Sequence, residues 1–290
     1  MRSSISFFSF DQRVSIREAC THAKKAGYEG VELCLSEGGE LNMKTSDADL
    51  KDLDTMIRDL GLLVSSIGAW NLWEHNLAGE DESDASYACD IVKKQVDVAA
   101  ALGADATLVV PGWVGTGFAQ GIVRYDRAYD NAQKRLSALV PYAKSAGVAL
   151  GVENVWNKFL LSPLEMKRFL DEIGSEFVGA YFDVGNIIYI GYPDQWIEIL
   201  GRHVKRLHFC DARESQAGLG MFVDLMAGDV DYAAVMRAAK SIGYDSWATV
   251  EFLPNYKTYP YQSIYNARCS LEAILQDAGT EIDKGGRADE

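Results

Sequence analysis

Basic residues are scarce in this chain: Lys and Arg total 28 against 42 Asp and Glu, for a formal net charge of -14, and no run of Lys and Arg offsets that field locally. Such a surface repels polyphosphate, so nucleic acid and anionic membranes are poor partners. Cysteine is sparse as well. Cys20, Cys34, Cys89, Cys210 and Cys269 are odd in number, scattered, and never form a C-x-x-C pair, which argues against a disulfide framework or a zinc knuckle and fits a reducing cytoplasm. No apolar stretch approaches the roughly 18 residues that a membrane span needs. The opening MRSSISFFSF is interrupted by Ser and reaches Asp11 too early for a secretory apolar region, so it reads as a first strand. No glycine-rich phosphate fingerprint follows an early strand, which counts against a doubly wound dinucleotide fold.

What is present is size and repetition. A chain of 290 residues, 48% hydrophobic and 24% charged, can bury a large core and remain one domain. One unit recurs: a helical pattern that ends at a glycine, where a left-handed cap is cheap, then a short apolar run suited to a strand covered on both faces. Helical residues 14–27 lead to 30–35, 47–61 to 62–67, 83–103 to 106–110, 124–147 to 148–153 and 162–174 to 178–183. Further on, 194–200 lead to 204–209, 229–243 to 247–252, and a last helix covers 261–278. With 5–10 as the first strand, eight strands alternate with eight helices, which predicts a single-domain (β/α)8 TIM barrel over 1–278. Residues 279–290, polar and glycine-containing, read as a C-terminal tail.

A barrel of this kind carries its chemistry at the C-terminal ends of its strands. Four consecutive expected strands end in an ionisable side chain: Glu153, Asp183, His208 and Glu251. Three carboxylates converging in a barrel mouth would repel one another and lose hydration, and a cation removes both problems. Three carboxylates and one imidazole make a hard donor set suited to one divalent metal, manganese first, with magnesium or cobalt as alternatives. Glu32 and Asp211 are read instead as ordinary acidic residues entering a surface loop or capping a helix.

At these positions the chain resembles the xylose isomerase-like TIM barrels, in particular sugar and sugar-phosphate 3-epimerases and isomerases of the tagatose/psicose and L-xylulose/L-ribulose-5-phosphate kind. The resemblance rests on the ordered set V-E-N at 152–154, F-D-V-G-N at 182–186, L-H-F-C-D at 207–211 and V-E-F at 250–252. It is similar again at 225–232, where Ala227 replaces a usual Glu. Asn186 stands where the family often has His, and residues 156–159, Trp-Asn-Lys-Phe, occupy a loop where the tagatose-type enzymes carry a second Glu. The resemblance implies that Glu153, Asp183, His208 and Glu251 ligate the metal and that the two glutamates form the acid-base pair.

Inverting a carbon beside a carbonyl takes a proton from one face and returns one to the other, which suits two carboxylates on opposite sides of a sugar. The expected activity is therefore metal-dependent C3 epimerisation of a ketose or ketose phosphate. Asn186, Arg213, Trp113 and His75 are candidate substrate contacts; Trp70, Trp73 and Trp156 also follow strands and could stack on a sugar, whereas His22 and His203 receive no role. A dehydratase acting on a cyclic polyol ketone, such as an inosose, would share the metal and the enolisation step. A DNA-repair endonuclease on the same barrel would need more than four histidines and a basic face, and a non-catalytic sugar-binding barrel would be expected to lose one glutamate. The expected setting is a cytoplasmic homo-oligomer, dimer or tetramer, whose partner is a small sugar or sugar phosphate.

Overall fold

The computed structural model describes residues 1–11, 13–216, 218–251, 253 and 256–276, without the side chain of Leu219. Its first half runs β1 (Arg2–Ser6), α1 (Ile16–Ala26), β2 (Gly30–Leu35), α2 (Asp47–Asp59), β3 (Leu63–Ala69), α3 (Glu82–Ala101), β4 (Ala106–Val109) and α4 (Tyr125–Ala146). Then come β5 (Ala149–Glu153), α5 (Pro163–Ile173), β6 (Val178–Asp183), α6 (Pro193–Leu200) and β7 (Val204–Phe209). A two-stranded hairpin of β8 (Asp211–Ala212) and β9 (Phe222–Val223) precedes α7 (Tyr232–Ser241), β10 (Trp247–Val250) and α8 (Gln262–Gln276). Eight parallel strands close in the order β1-β10-β7-β6-β5-β4-β3-β2, a TIM barrel as the repeating unit predicts.

Local chemistry explains where the elements start and stop. The Ser15 hydroxyl accepts the Glu18 N–H to open α1, Ser46 and Asp49 close a reciprocal capping box on α2, and Ser162 with Pro163 opens α5. Helices α1 and α4 end at Gly27 and Gly147, whose φ angles of 96° and 70° are left-handed. Strand β1 differs from the expected 5–10: its register with β10 and β2 ends by Ser6, whose hydroxyl accepts the Phe8 N–H and turns the chain into a 3-10 turn over Phe7–Ser9. Helix α7 begins three residues later than expected, at Tyr232, because the Asp231 side chain caps it by accepting the Ala234 N–H. Phe252, the last residue of the expected eighth strand, and the tail at 279–290 lie outside the described residues. Among the described residues no helix is long and apolar enough to cross a membrane.

Register decides what meets inside. Asp183 of β6 pairs with His208 of β7, His208 with Thr249 of β10, and Glu153 of β5 with Tyr181 of β6. Side chains two residues apart share a strand face, so Tyr181 and Asp183 project together, as do Thr249 and Glu251 beyond the strand's end. The ionisable residues are thereby gathered at one end of the barrel.

Candidate active site and metal centre

Glu153, Asp183, His208 and Glu251 are all buried, and each offers a donor atom within 4.8 Å of the others. His208 Nδ1 lies 3.1 Å from Glu251 Oε2, 3.3 Å from Glu153 Oε1 and 3.9 Å from Asp183 Oδ2. Asp183 is firmly held: Oδ1 accepts the backbone N–H groups of Gly185 at 2.8 Å and Asn186 at 2.6 Å, and the Cys210 thiol donates to the same carboxylate at 3.0 Å. Asn154 locks the strand end, its Oδ1 accepting the Asp183 N–H and its Nδ2 donating to the Asp183 carbonyl, both at 2.8 Å. A Cβ at Gly185 would fall 2.4 Å from Cys210 Sγ, so only glycine permits this approach.

Electrostatics show a site short of positive charge. Burial, then repulsion from Glu251, pushes the Glu153 carboxyl well above the usual range against the pull of His208. Burial also raises Asp183, and raises Glu251 to about 7, with His208 opposing both shifts. For His208 burial disfavours the charged ring, but Glu251, Tyr181, Glu32 and Glu153 outweigh it and hold its pKa well above normal. Carboxylates and imidazole alike are thus strained toward protonation, the state in which a proton substitutes for a cation. A divalent metal fits this donor set of three carboxylates and one imidazole nitrogen.

Above the cluster opens a cavity walled by Phe8, Trp70, Trp73, Phe118, Trp156 and Phe222 and reached by Glu153, Glu251 and Asn186. Phe118 packs edge-on against Trp73 at 5.0 Å between centroids, and Trp156 stacks on Phe222 at 5.1 Å and 11°. Asn186 donates its side-chain amide to the Asn154 carbonyl at 3.0 Å, and Trp156 Nε1 donates to the Asn186 carbonyl at 3.2 Å. Among the described lining residues there is no Lys, Arg or His.

Of the four candidate substrate contacts, the structure brings Asn186 to this cavity and sets the other three apart. Trp113 is buried, its backbone N–H on Asn76 Oδ1 at 2.9 Å. His75 pairs with Asp84 at 2.6 Å and packs edge-on against Tyr87. Arg213 is exposed on the hairpin loop, its N–H bound to the Met221 carbonyl at 2.9 Å. None of these three is among the described lining residues. His22 stacks on Tyr261 and His203 pairs with Asp171, both away from the cluster.

Two acidic residues differ from the sequence reading. Glu32 does not enter a surface loop: it is fully buried inside the barrel, with Oε1 3.1 Å from His208 Nε2, and the Ser66 and Tyr181 hydroxyls donate to its Oε2. Although burial raises its pKa, His208 and the Ser6 and Ser66 hydroxyls hold it down at about 2. The available signal was a lone charge in the middle of the apolar run 30–35, all of which is buried. Asp211 neither caps a helix nor faces solvent; it is fully buried and organises the β8–β9 hairpin.

The profile of the xylose isomerase-like TIM barrels matches residues 20–269. An Escherichia coli protein provisionally named L-ribulose-5-phosphate 3-epimerase is 24% identical over 267 residues, 89% of this chain and 90% of its own length. An inosose dehydratase of Lacticaseibacillus casei is 23% identical over 168 residues, a match that spans 52% of this chain and just over half, 56%, of that enzyme. Among solved structures, an L-ribulose 3-epimerase superposes with a TM-score of 0.78 at 20% identity, covering 96% of this chain and 95% of its own. The IOLI protein, solved with a zinc atom, superposes with a TM-score of 0.80 at 18% identity, covering 97% and 100%. At these identities the superpositions establish the fold.

Proposed function

The chain belongs to the xylose isomerase-like TIM barrel family, and on that premise we propose that it is a divalent-metal-dependent 3-epimerase of a ketose, with Glu153 and Glu251 as the acid-base pair. One observation carries the reading: these two buried carboxylates reach the same cavity from β5 and from the end of β10, with His208 Nδ1 between them at 3.3 and 3.1 Å. Glu153, Asp183, His208 and Glu251 would hold the ion, for which the oxygen-rich donor set favours manganese. Bound there, the cation supplies Lewis-acid polarisation of the ketose carbonyl and its neighbouring hydroxyl, which acidifies the C3 proton.

The protein's own groups do the rest. One glutamate removes the C3 proton and the other returns a proton to the opposite face. Asn186 offers its amide to a substrate hydroxyl, and the aromatic wall keeps bulk water from the exposed carbanion face. A phosphorylated substrate would bring two more negative charges to a carboxylate-rich site whose described lining has no cation, so the unphosphorylated ketose is the favoured form.

Proton NMR in D2O of the chelator-stripped protein, with and without manganese, tests this on free and 5-phosphorylated ketoses. We expect metal-dependent deuterium entry at C3 with a new epimer, faster for the free sugar. The inosose dehydratase relative and the flat aromatic walls, which fit the face of a cyclic polyol, support a dehydratase as second reading; loss of water from an inosose without epimer formation would select it. Turnover independent of added metal would overturn both.

A further inference from the structure

One buried carboxylate in the barrel interior is not used by the proposed chemistry. Glu32, Ser66, Tyr181 and His208 are each fully buried, and a core of this kind would be better stabilised by apolar side chains than by a carboxylate stripped of water. Room for the assembly is made deliberately. Gly151 lacks the Cβ that would lie 2.9 Å from the Thr107 carbonyl and 3.0 Å from the Tyr181 Cβ, which leaves the barrel centre to the tyrosine ring. That ring packs against the His208 imidazole at 4.4 Å between centroids, and its hydroxyl meets Ser66 Oγ at 2.9 Å.

The hydrogen-bond accounting settles the far side of the His208 ring. An ionised carboxylate only accepts. Glu32 Oε2 receives the Ser66 and Tyr181 hydroxyls, and Oε1 faces His208 Nε2 at 3.1 Å, so Nε2 carries a proton and donates it. Once a cation takes the place of the other ring proton, that leaves the lone pair on Nδ1, the nitrogen directed at Glu153, Asp183 and Glu251. The three anchors come from β2, β3 and β6, while His208 comes from β7, so the ring is fixed from across the barrel.

We propose that Glu32 is the positioning residue of the metal centre: braced by Ser66 and Tyr181, it sets the tautomer and tilt of His208 so that Nδ1 is a ready-made metal donor. This rests on the reading that Glu153, Asp183, His208 and Glu251 bind a divalent ion, and it is independent of which sugar is turned over. A carboxylate on the far nitrogen also makes the near one more basic, and loss of such a partner typically weakens metal binding about 10- to 100-fold.

The test uses cobalt, which reports its own coordination. The chelator-stripped full chain is titrated with Co2+ by calorimetry, and the visible d–d spectrum is recorded at saturation, for the parent, Glu32→Gln and Tyr181→Phe. Glu32→Gln keeps an acceptor for Nε2–H but no charge, and should weaken Co2+ binding by about tenfold or more. Tyr181→Phe removes one brace with little change in shape and should weaken it less, and both should shift the d–d bands. A core that is merely less stable would lower the melting temperature yet leave the saturated spectrum unchanged. Parent-like affinity and superimposable spectra in Tyr181→Phe and in folded Glu32→Gln would overturn the positioning role. A parent chain that takes up no cobalt would overturn the metal reading beneath it.

Discussion

At the scale of single residues, the proposed chemistry rests on two carboxylates whose surroundings are alike but not equal. Glu153 and Glu251 each face His208 Nδ1 and each is pushed up by burial, but repulsion from Glu251 is the second cause of the shift at Glu153. Removing either charge should relieve that repulsion while deleting one of the two proposed proton-transfer groups. Glu153→Gln and Glu251→Gln are therefore expected to fold, to melt no lower than the parent in the metal-free state, and to lose about 10²- to 10⁴-fold in kcat on the ketose. Steady-state kinetics at saturating metal, beside metal-free melting curves, measure both. A variant with near-parent kcat would remove that residue from the acid-base pair. Both glutamates were legible in the sequence because each follows an apolar run in a chain whose strand-helix alternation is regular. Glu32 was not, because one carboxylate within an apolar strand acquires meaning only from the histidine opposite, on a strand 176 residues further along the chain.

At the scale of elements, alternation and capping chemistry placed most strands and helices within a few residues, since Ser, Asp and Gly signals act locally. The hairpin of β8 and β9 escaped notice because two-residue strands have no periodicity to read. Its stability is lodged in Asp211, whose carboxylate accepts the N–H groups of Ala212 at 2.9 Å, Met226 at 2.8 Å, Gly228 at 3.0 Å and Val230 at 3.2 Å. A Cβ at Gly228 would come within 2.2 Å of that carboxylate, so the loop is wrapped on the side chain itself. The hairpin carries Phe222, which stacks on Trp156 to form one wall of the cavity. Asp211→Ala leaves these buried N–H groups unpaired, at about 1–3 kcal/mol each for those that water cannot reach. We expect the wall to loosen, KM to rise severalfold with a smaller change in kcat, and quenching of tryptophan fluorescence by acrylamide to increase. Unchanged KM and quenching would show that the hairpin holds its place without Asp211.

Across the whole molecule, the net charge of -14 and the buried carboxylate cluster set how stability responds to pH and metal together. Glu153, Asp183 and Glu251 have folded-state pKa values above their ordinary ones, as does His208. The folded state therefore binds more protons than the unfolded one, and the stability these groups contribute is fully present below their ordinary values and is lost as pH rises through the folded values. For Glu251 that window runs from 4.5 to about 7. Glu32 has the opposite sign, but its contribution is complete above its ordinary value of 4.5 and fades only toward about 2, so it is constant across the same window. Metal binding at the cluster would require the deprotonated donors of the folded state and would replace the missing positive charge, stabilising by about 2.7 kcal/mol when free cation exceeds its dissociation constant a hundredfold. The melting temperature of the chelator-stripped protein should then fall between pH 5 and pH 8, while the rise on adding manganese should be small at pH 5 and grow to several degrees at pH 8. Differential scanning fluorimetry over that range, with and without manganese, reads both slopes. A metal-induced rise that is equal at the two ends would mean that the cluster's protons do not compete with the cation, and the four residues would not be its ligands.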